Sequence, residues 1–128
     1  MKRPGRPVLV VEDHEDSREM VATFLRLDGY RVTTAGNGVE ALGAVARDLP
    51  CLILLDVTMP VMDGPTFARR LRQSPDRAVA ETPIVLLTAL PEAARVQREV
   101  GAVALIRKPV CFDALTSTLE RHCTTGDA

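Results

Sequence analysis

The stretch Cys51-Leu-Ile-Leu-Leu-Asp56 sets the tightest limit on how this chain can fold. Five residues suited to a core run straight into a carboxylate, with Pro50 before them and Pro60 after. A continuous apolar run of this kind predicts a strand buried on both faces, as in a parallel sheet. An unpaired carboxylate inside such a strand is costly and tends to neutralise itself. At the strand's carboxyl end it faces the crevice that open parallel sheets leave for ligands. A Pro- and Gly-punctuated loop, Val57-Thr-Met-Pro-Val-Met-Asp-Gly64, follows. Asp56 is therefore expected on a rigid strand, presented into a cleft.

The remaining chain supplies a sheet around that strand. Residues 7–11 form a short apolar run ending in Glu12-Asp13, and 30–35 are rich in β-branched residues. Residues 82–88 and 102–106 give strands four and five; the last is stopped by Arg107-Lys-Pro109 because proline cannot continue a central strand. Between the strands the apolar period changes to 3.6. Met20, Val21, Phe24, Leu25 and Leu27 mark a first helix over 14–27, and Asp28-Gly29 ends it. Helices over 39–49, 65–72 and 91–100 follow, with a break at 74–77. Phe112, Leu115 and Leu119 mark the last helix. Five strands alternating with five helices imply right-handed crossovers and a parallel sheet covered on both faces. The pattern predicts one domain over 7–122, a flexible arm at 1–6 and a flexible tail at 123–128.

With 128 residues there is room for one core. The net charge of −1 gives no bulk drive toward nucleic acid or an anionic membrane. No apolar run approaches a membrane span, and the first seven residues hold no signal-like segment, so a cytoplasmic protein is expected. Cys51, Cys111 and Cys123 show neither metal spacing nor an even framework, and are expected as reduced thiols.

Four strand ends carry chemistry: Glu12-Asp13, Asp56, Thr88 and Lys108. In a doubly wound sheet these ends share one edge. Three carboxylates against one ammonium leave the edge negative, and like charges ~4 Å apart repel by roughly 4 kcal/mol at an effective dielectric near 20. Such a site calls for a cation, and an all-oxygen ligand set suits Mg²⁺. The other polar residues read more simply. His14 is an exposed helix-start residue, the Arg69, Arg70 and Arg72 cluster is a solvated helix face, and Asn37 and Asp63 form turns.

The ordered set Val10-Val-Glu-Asp13, Leu54-Leu-Asp-Val-Thr-Met-Pro-Val-Met-Asp-Gly64, Pro83-Ile-Val-Leu-Leu-Thr-Ala89 and Lys108-Pro109 resembles the receiver domain of two-component response regulators. The resemblance runs from about Pro7 to Arg121 and is closest to stand-alone, chemotaxis-type receivers. It implies a flavodoxin-like three-layer α/β sandwich, with five parallel strands in the order 2-1-3-4-5 and five helices. It makes Asp56 the phosphoacceptor, charged by a phosphohistidine on a sensor histidine kinase or a histidine phosphotransfer protein. Asp13, Asp56 and the Thr58 carbonyl would hold Mg²⁺, with Glu12 reaching it through water. Lys108 would pair with Asp56 and then with a phosphoryl oxygen, which the Thr88 hydroxyl would also bind. Pro109 would follow a cis peptide bond. Leu105 stands where the family usually carries Tyr or Phe, so either its part in the switch is weakened or replaced, or Leu105 is a well-packed core residue and the switch works without a ring. The resemblance also implies that Thr58 and Leu90 hold positions that commonly tune dephosphorylation, where these two side chains offer little to position an attacking water.

The resemblance further implies a signalling domain that catalyses its own phosphorylation and slow dephosphorylation, not an enzyme acting on a separate substrate. A downstream partner would dock on the last two helices and strand five, with the chain a monomer or weak homodimer. An aspartate-dependent phosphohydrolase is the alternative, but Thr58 stands where that chemistry wants a second acid. A receiver-like scaffold that carries no phosphate is opposed by the complete set of Glu12, Asp13, Asp56, Thr88 and Lys108.

Overall fold

The computed structural model of the chain describes residues 5–56, 64–89, 91 and 93–123. The elements, in order, are β1 (Val8–Val11), α1 (Glu15–Leu27), β2 (Val32–Ala35), α2 (Gly38–Arg47), β3 (Leu52–Asp56), α3 (Gly64–Arg72), α4 (Arg77–Ala80), β4 (Ile84–Thr88), α5 (Ala93–Val100), β5 (Ala104–Arg107) and α6 (Phe112–His122). The strands form one parallel sheet of order β2-β1-β3-β4-β5. As the apolar run required, β3 is the central strand and every residue in it is buried.

Alternation along the strands divides the core in two. Leu9, Val11, Ile53, Leu55, Ile84 and Leu86 face one side, with Ala41, Val45, Phe67, Leu71, Val96 and Val100 from α2, α3 and α5. Val8, Val10, Leu52, Leu54, Val85 and Leu87 face the other, with Val21 and Leu25 from α1 and Leu115 and Leu119 from α6. Phe24 and Phe112 stack across the α1–α6 seam with ring centroids 4.2 Å apart. Gly29 closes α1 at φ 97°, where the left-handed turn lets Tyr30 N–H donate to the Leu25 carbonyl and Gly29 N–H to that of Arg26.

Three sequence expectations are corrected. The break at 74–77 leads into a sixth helix, the single turn α4. Its start is capped by the Asp76 carboxylate, which accepts from Ala78 N–H at 3.0 Å. Its end is held by Arg72 Nη1, which donates to the carbonyls of Ala80 at 2.9 Å and Thr82 at 2.8 Å. Secondly, Cys51 and Cys123 are not reduced thiols but form a disulfide, with Cα atoms 5.4 Å apart; Cys111 is free and exposed. Thirdly, Cys123 does not begin a loose tail. It is buried, caps α6 and donates its N–H to the Leu119 carbonyl at 2.8 Å.

The chain enters and leaves the fold at one place. Cys51 N–H donates to the Pro7 carbonyl at 2.9 Å, just ahead of β1. Arg6, Cys51, Glu81, Thr82 and His122 line a single cleft of about 320 Å³ at the amino-terminal edge of the sheet.

Candidate functional site

The carboxyl-terminal edge gathers the residues that the sequence singled out. Glu12 continues directly from β1, its N–H donating to the Ala35 carbonyl at 3.0 Å and its own carbonyl accepting from Arg18 Nη1 at 3.0 Å. Those two bonds hold a charged residue in a position that is 3% exposed. Asp56 ends β3 and Thr88 ends β4, and both are buried. Lys108 follows β5, tied to the sheet by its N–H, which donates to the Thr88 carbonyl at 2.9 Å. The Lys108–Pro109 peptide bond is cis, as expected.

Lys108 Nζ donates to Glu12 Oε1 at 3.0 Å and lies 3.5 Å from Asp56 Oδ1. Partial burial by itself would lower the pKa of this ammonium. The hydrogen bond to Glu12 and the charge of Asp56 outweigh it and hold the group above the ordinary lysine value. One cation thus bridges two buried carboxylates on neighbouring strands. Asp13 and His14 are exposed at the rim, and Glu12, Asp13 and His14 each offer one ligand atom within 4.8 Å of the others. Glu12, Asp13, Asp56, Thr88 and Lys108 share one cleft of about 350 Å³.

Leu105 is not a member of that cleft. It is half-buried on β5 and packs against the core layer of α2, α3 and α5. Thr58 and Leu90 lie outside the described residues. His14 stands at the start of α1 without a side-chain capping bond, in keeping with its reading as an exposed helix-start residue. Arg18 was missed. Its tie to Glu12 joins residues six apart across the β1–α1 turn, a geometry that no helical spacing rule announces.

The sequence profile of the response regulator receiver domain matches residues 8–120. The chain belongs to this family. It is 43% identical over 105 residues to the response regulator PleD of Caulobacter vibrioides, an alignment covering 80% of this chain and 23% of PleD. It superposes on the chemotaxis protein CheY4 of Vibrio cholerae with a TM-score of 0.83 and 36% identity, covering 92% of this chain and 98% of that one. It also superposes on the receiver domain of the sensor histidine kinase PA1611 from Pseudomonas aeruginosa PAO1, with a TM-score of 0.82, 30% identity and coverage of 94% and 99%. That structure has a magnesium ion coordinated in its active-site cleft. The chain spans less than half the length of the curated relatives it matches. It is thus a receiver domain of the two-component type, a signalling domain with the flavodoxin-like arrangement of its relatives. Among the described residues, no helix is long and apolar enough to cross a membrane.

Proposed function

We propose that Asp56 accepts a phosphoryl group from a phosphohistidine on a sensor kinase or phosphotransfer protein. The observation that carries this reading is the Lys108 ammonium set between Glu12 and Asp56, in a cleft open at the end of the central strand. An Asp56 carboxylate oxygen attacks phosphorus, the phosphorus–nitrogen bond to the donor imidazole breaks, and an acyl phosphate forms. Two anions must approach in this step, and Lys108 lowers the repulsion between them. As the phosphoryl group arrives, Lys108 exchanges part of its bond to Asp56 for a phosphoryl oxygen. The Thr88 hydroxyl supplies a further donor from the end of the neighbouring strand.

The acidic rim fits a divalent cation of the Mg²⁺ type, since its carboxylates are hard oxygen donors grouped beside an exposed Asp13. Asp13 and Asp56 would hold the ion, together with the Thr58 carbonyl, with Glu12 reaching it through water, and the bound cation would add positive charge against the transferring oxygens. The acyl phosphate hydrolyses with time, so the domain catalyses its own charging and slow discharge. The domain comprises residues 7–122, with the buried Cys123 directly after it. It works in the cytoplasm, where its donor is charged. Its signal leaves through the face made by α5, β5 and α6, adjoining Thr88 and Lys108. Leu105 fills the β5 position in place of an aromatic switch residue.

Incubation with acetyl phosphate and Mg²⁺, read by intact mass, tests the assignment. The wild-type chain should gain the mass of one phosphoryl group, and chelating the metal should prevent it. Asp56→Asn should show no gain, because the amide is a poor nucleophile. Full labelling of that variant would remove Asp56 from the acceptor role.

A further inference from the structure

The Cys51–Cys123 bridge joins two elements 72 residues apart in the chain. Cys51 leads into β3, which is locked between β1 and β4. Cys123 caps α6. The helix is held at its start by the Phe24–Phe112 stack and along its length by Leu115 and Leu119. Past Leu119, the buried anchor among the described residues is Cys123 itself. Among the described residues, the bridge is therefore what fastens the last turn of α6 to the sheet.

Both cysteines are buried, but the bridge borders an open cleft. Cys51 and Cys123 are 8% and 7% exposed, and the cleft of about 320 Å³ opens on Cys51 with Arg6, Glu81 and His122 on its walls. Compartments that hold phosphohistidine donors keep thiols reduced, and disulfides found there are usually transient or redox-sensing. We propose that the Cys51–Cys123 bridge is a reversible redox clasp that sets how firmly the C-terminal turn of α6 is held. The inference rests on the receiver reading for its compartment alone.

The reductant is a dithiol. Its thiolate attacks Cys51 Sγ, forming a mixed disulfide and expelling the Cys123 thiolate. The second thiol then attacks its partner sulfur in the mixed disulfide, closes a ring and releases Cys51. Two electrons pass to the bridge, and two protons end on Cys51 and Cys123. What remains is a pair of thiols with no side-chain link between α6 and β3. Cys51 and Asp56 stand at opposite ends of β3, roughly 16 Å apart at strand rise, so this input acts at the edge of the sheet away from the acidic cleft.

The full chain carrying Cys111→Ser, which removes the exposed third thiol, is equilibrated with reduced or oxidised dithiothreitol. Thiol state is read by alkylation and mass, and backbone order by hydrogen exchange. Reduction should raise exchange over 119–123 by about tenfold or more, to a rate well above that of β3, which should still exchange only through global unfolding. Reoxidation should restore the original pattern. Cys123→Ser should match the reduced state and ignore the redox buffer; should that variant misfold, reduction of the parent in place gives the same reading. The clasp is overturned if α6 exchanges alike in both states, if the bridge resists the dithiol, or if reduction removes protection throughout the chain. Acetyl phosphate labelling of the same samples reports separately on Asp56, so failure of the phosphoryl reading leaves a distinct signature.

Discussion

Only two of the sixteen basic residues are lysines, and one of them, Lys108, stands between Glu12 and Asp56. The folded protein holds the Lys108 proton more tightly than the unfolded chain, against the opposing pull of partial burial. The resulting stabilisation is fully present below the unfolded value of about 10.5 and fades as pH rises through the higher folded value. Glu12→Gln removes the hydrogen-bonding carboxylate, so the variant should lose less stability than wild type over that alkaline range. Denaturant midpoints from neutral pH upward check this, and parallel curves would refute it. The five site residues were legible because each stands where an apolar strand stops. The cysteines were not. Pairing Cys51 with Cys123 requires knowing that α6 returns to the amino-terminal edge of β3, and an odd cysteine count conceals the match.

Among the elements, the strands read most clearly, since buried parallel strands are nearly continuous apolar runs. Turn α4 was hidden because Ser74-Pro-Asp-Arg carries breaker residues and its support comes from Arg72, on the preceding helix. That arginine, grouped by its sequence with a solvated face, spends its guanidinium on two backbone carbonyls. Arg72→Ala should cost about 1–3 kcal/mol, the usual penalty for leaving half-buried acceptors without donors, and urea unfolding would measure it. A loss no larger than that of Arg69→Ala would show that the tie contributes nothing. On β5, Leu105 contacts the layer of α2, α3 and α5 and lacks a ring that could alternate between two positions. A ligand shifts an equilibrium only by its differential affinity for the two states. Leu105→Tyr should therefore enlarge the exchange change that beryllofluoride, a phosphoryl mimic, induces in α5 and α6. Equal responses in variant and wild type would show that the ring is irrelevant here.

For the whole molecule, the bridge closes a long loop. A separation of 72 residues corresponds to roughly 4 kcal/mol of restricted unfolded-state entropy. Reduction in the Cys111→Ser background should accordingly lower Tm by about 15 °C in a domain of this size, while the chain stays folded at room temperature. Calorimetry with and without dithiothreitol decides the point, and an unchanged Tm would mean that the reduced chain recovers the energy by other packing.

The entry and exit of the fold lie together, with Arg6 and His122 on the walls of one cleft and Pro7 bonded to Cys51. The acidic cleft lies at the other end of the strands. A unit wired this way behaves like a plug whose two pins share one socket. With Pro7 and Cys123 both placed beside Cys51, a host chain could take up the unit at one point and leave the working edge uncovered. The same plan suits grafting experiments, in which a foreign protein would gain a receiver at a surface loop while keeping its own continuity across a gap of a few residues.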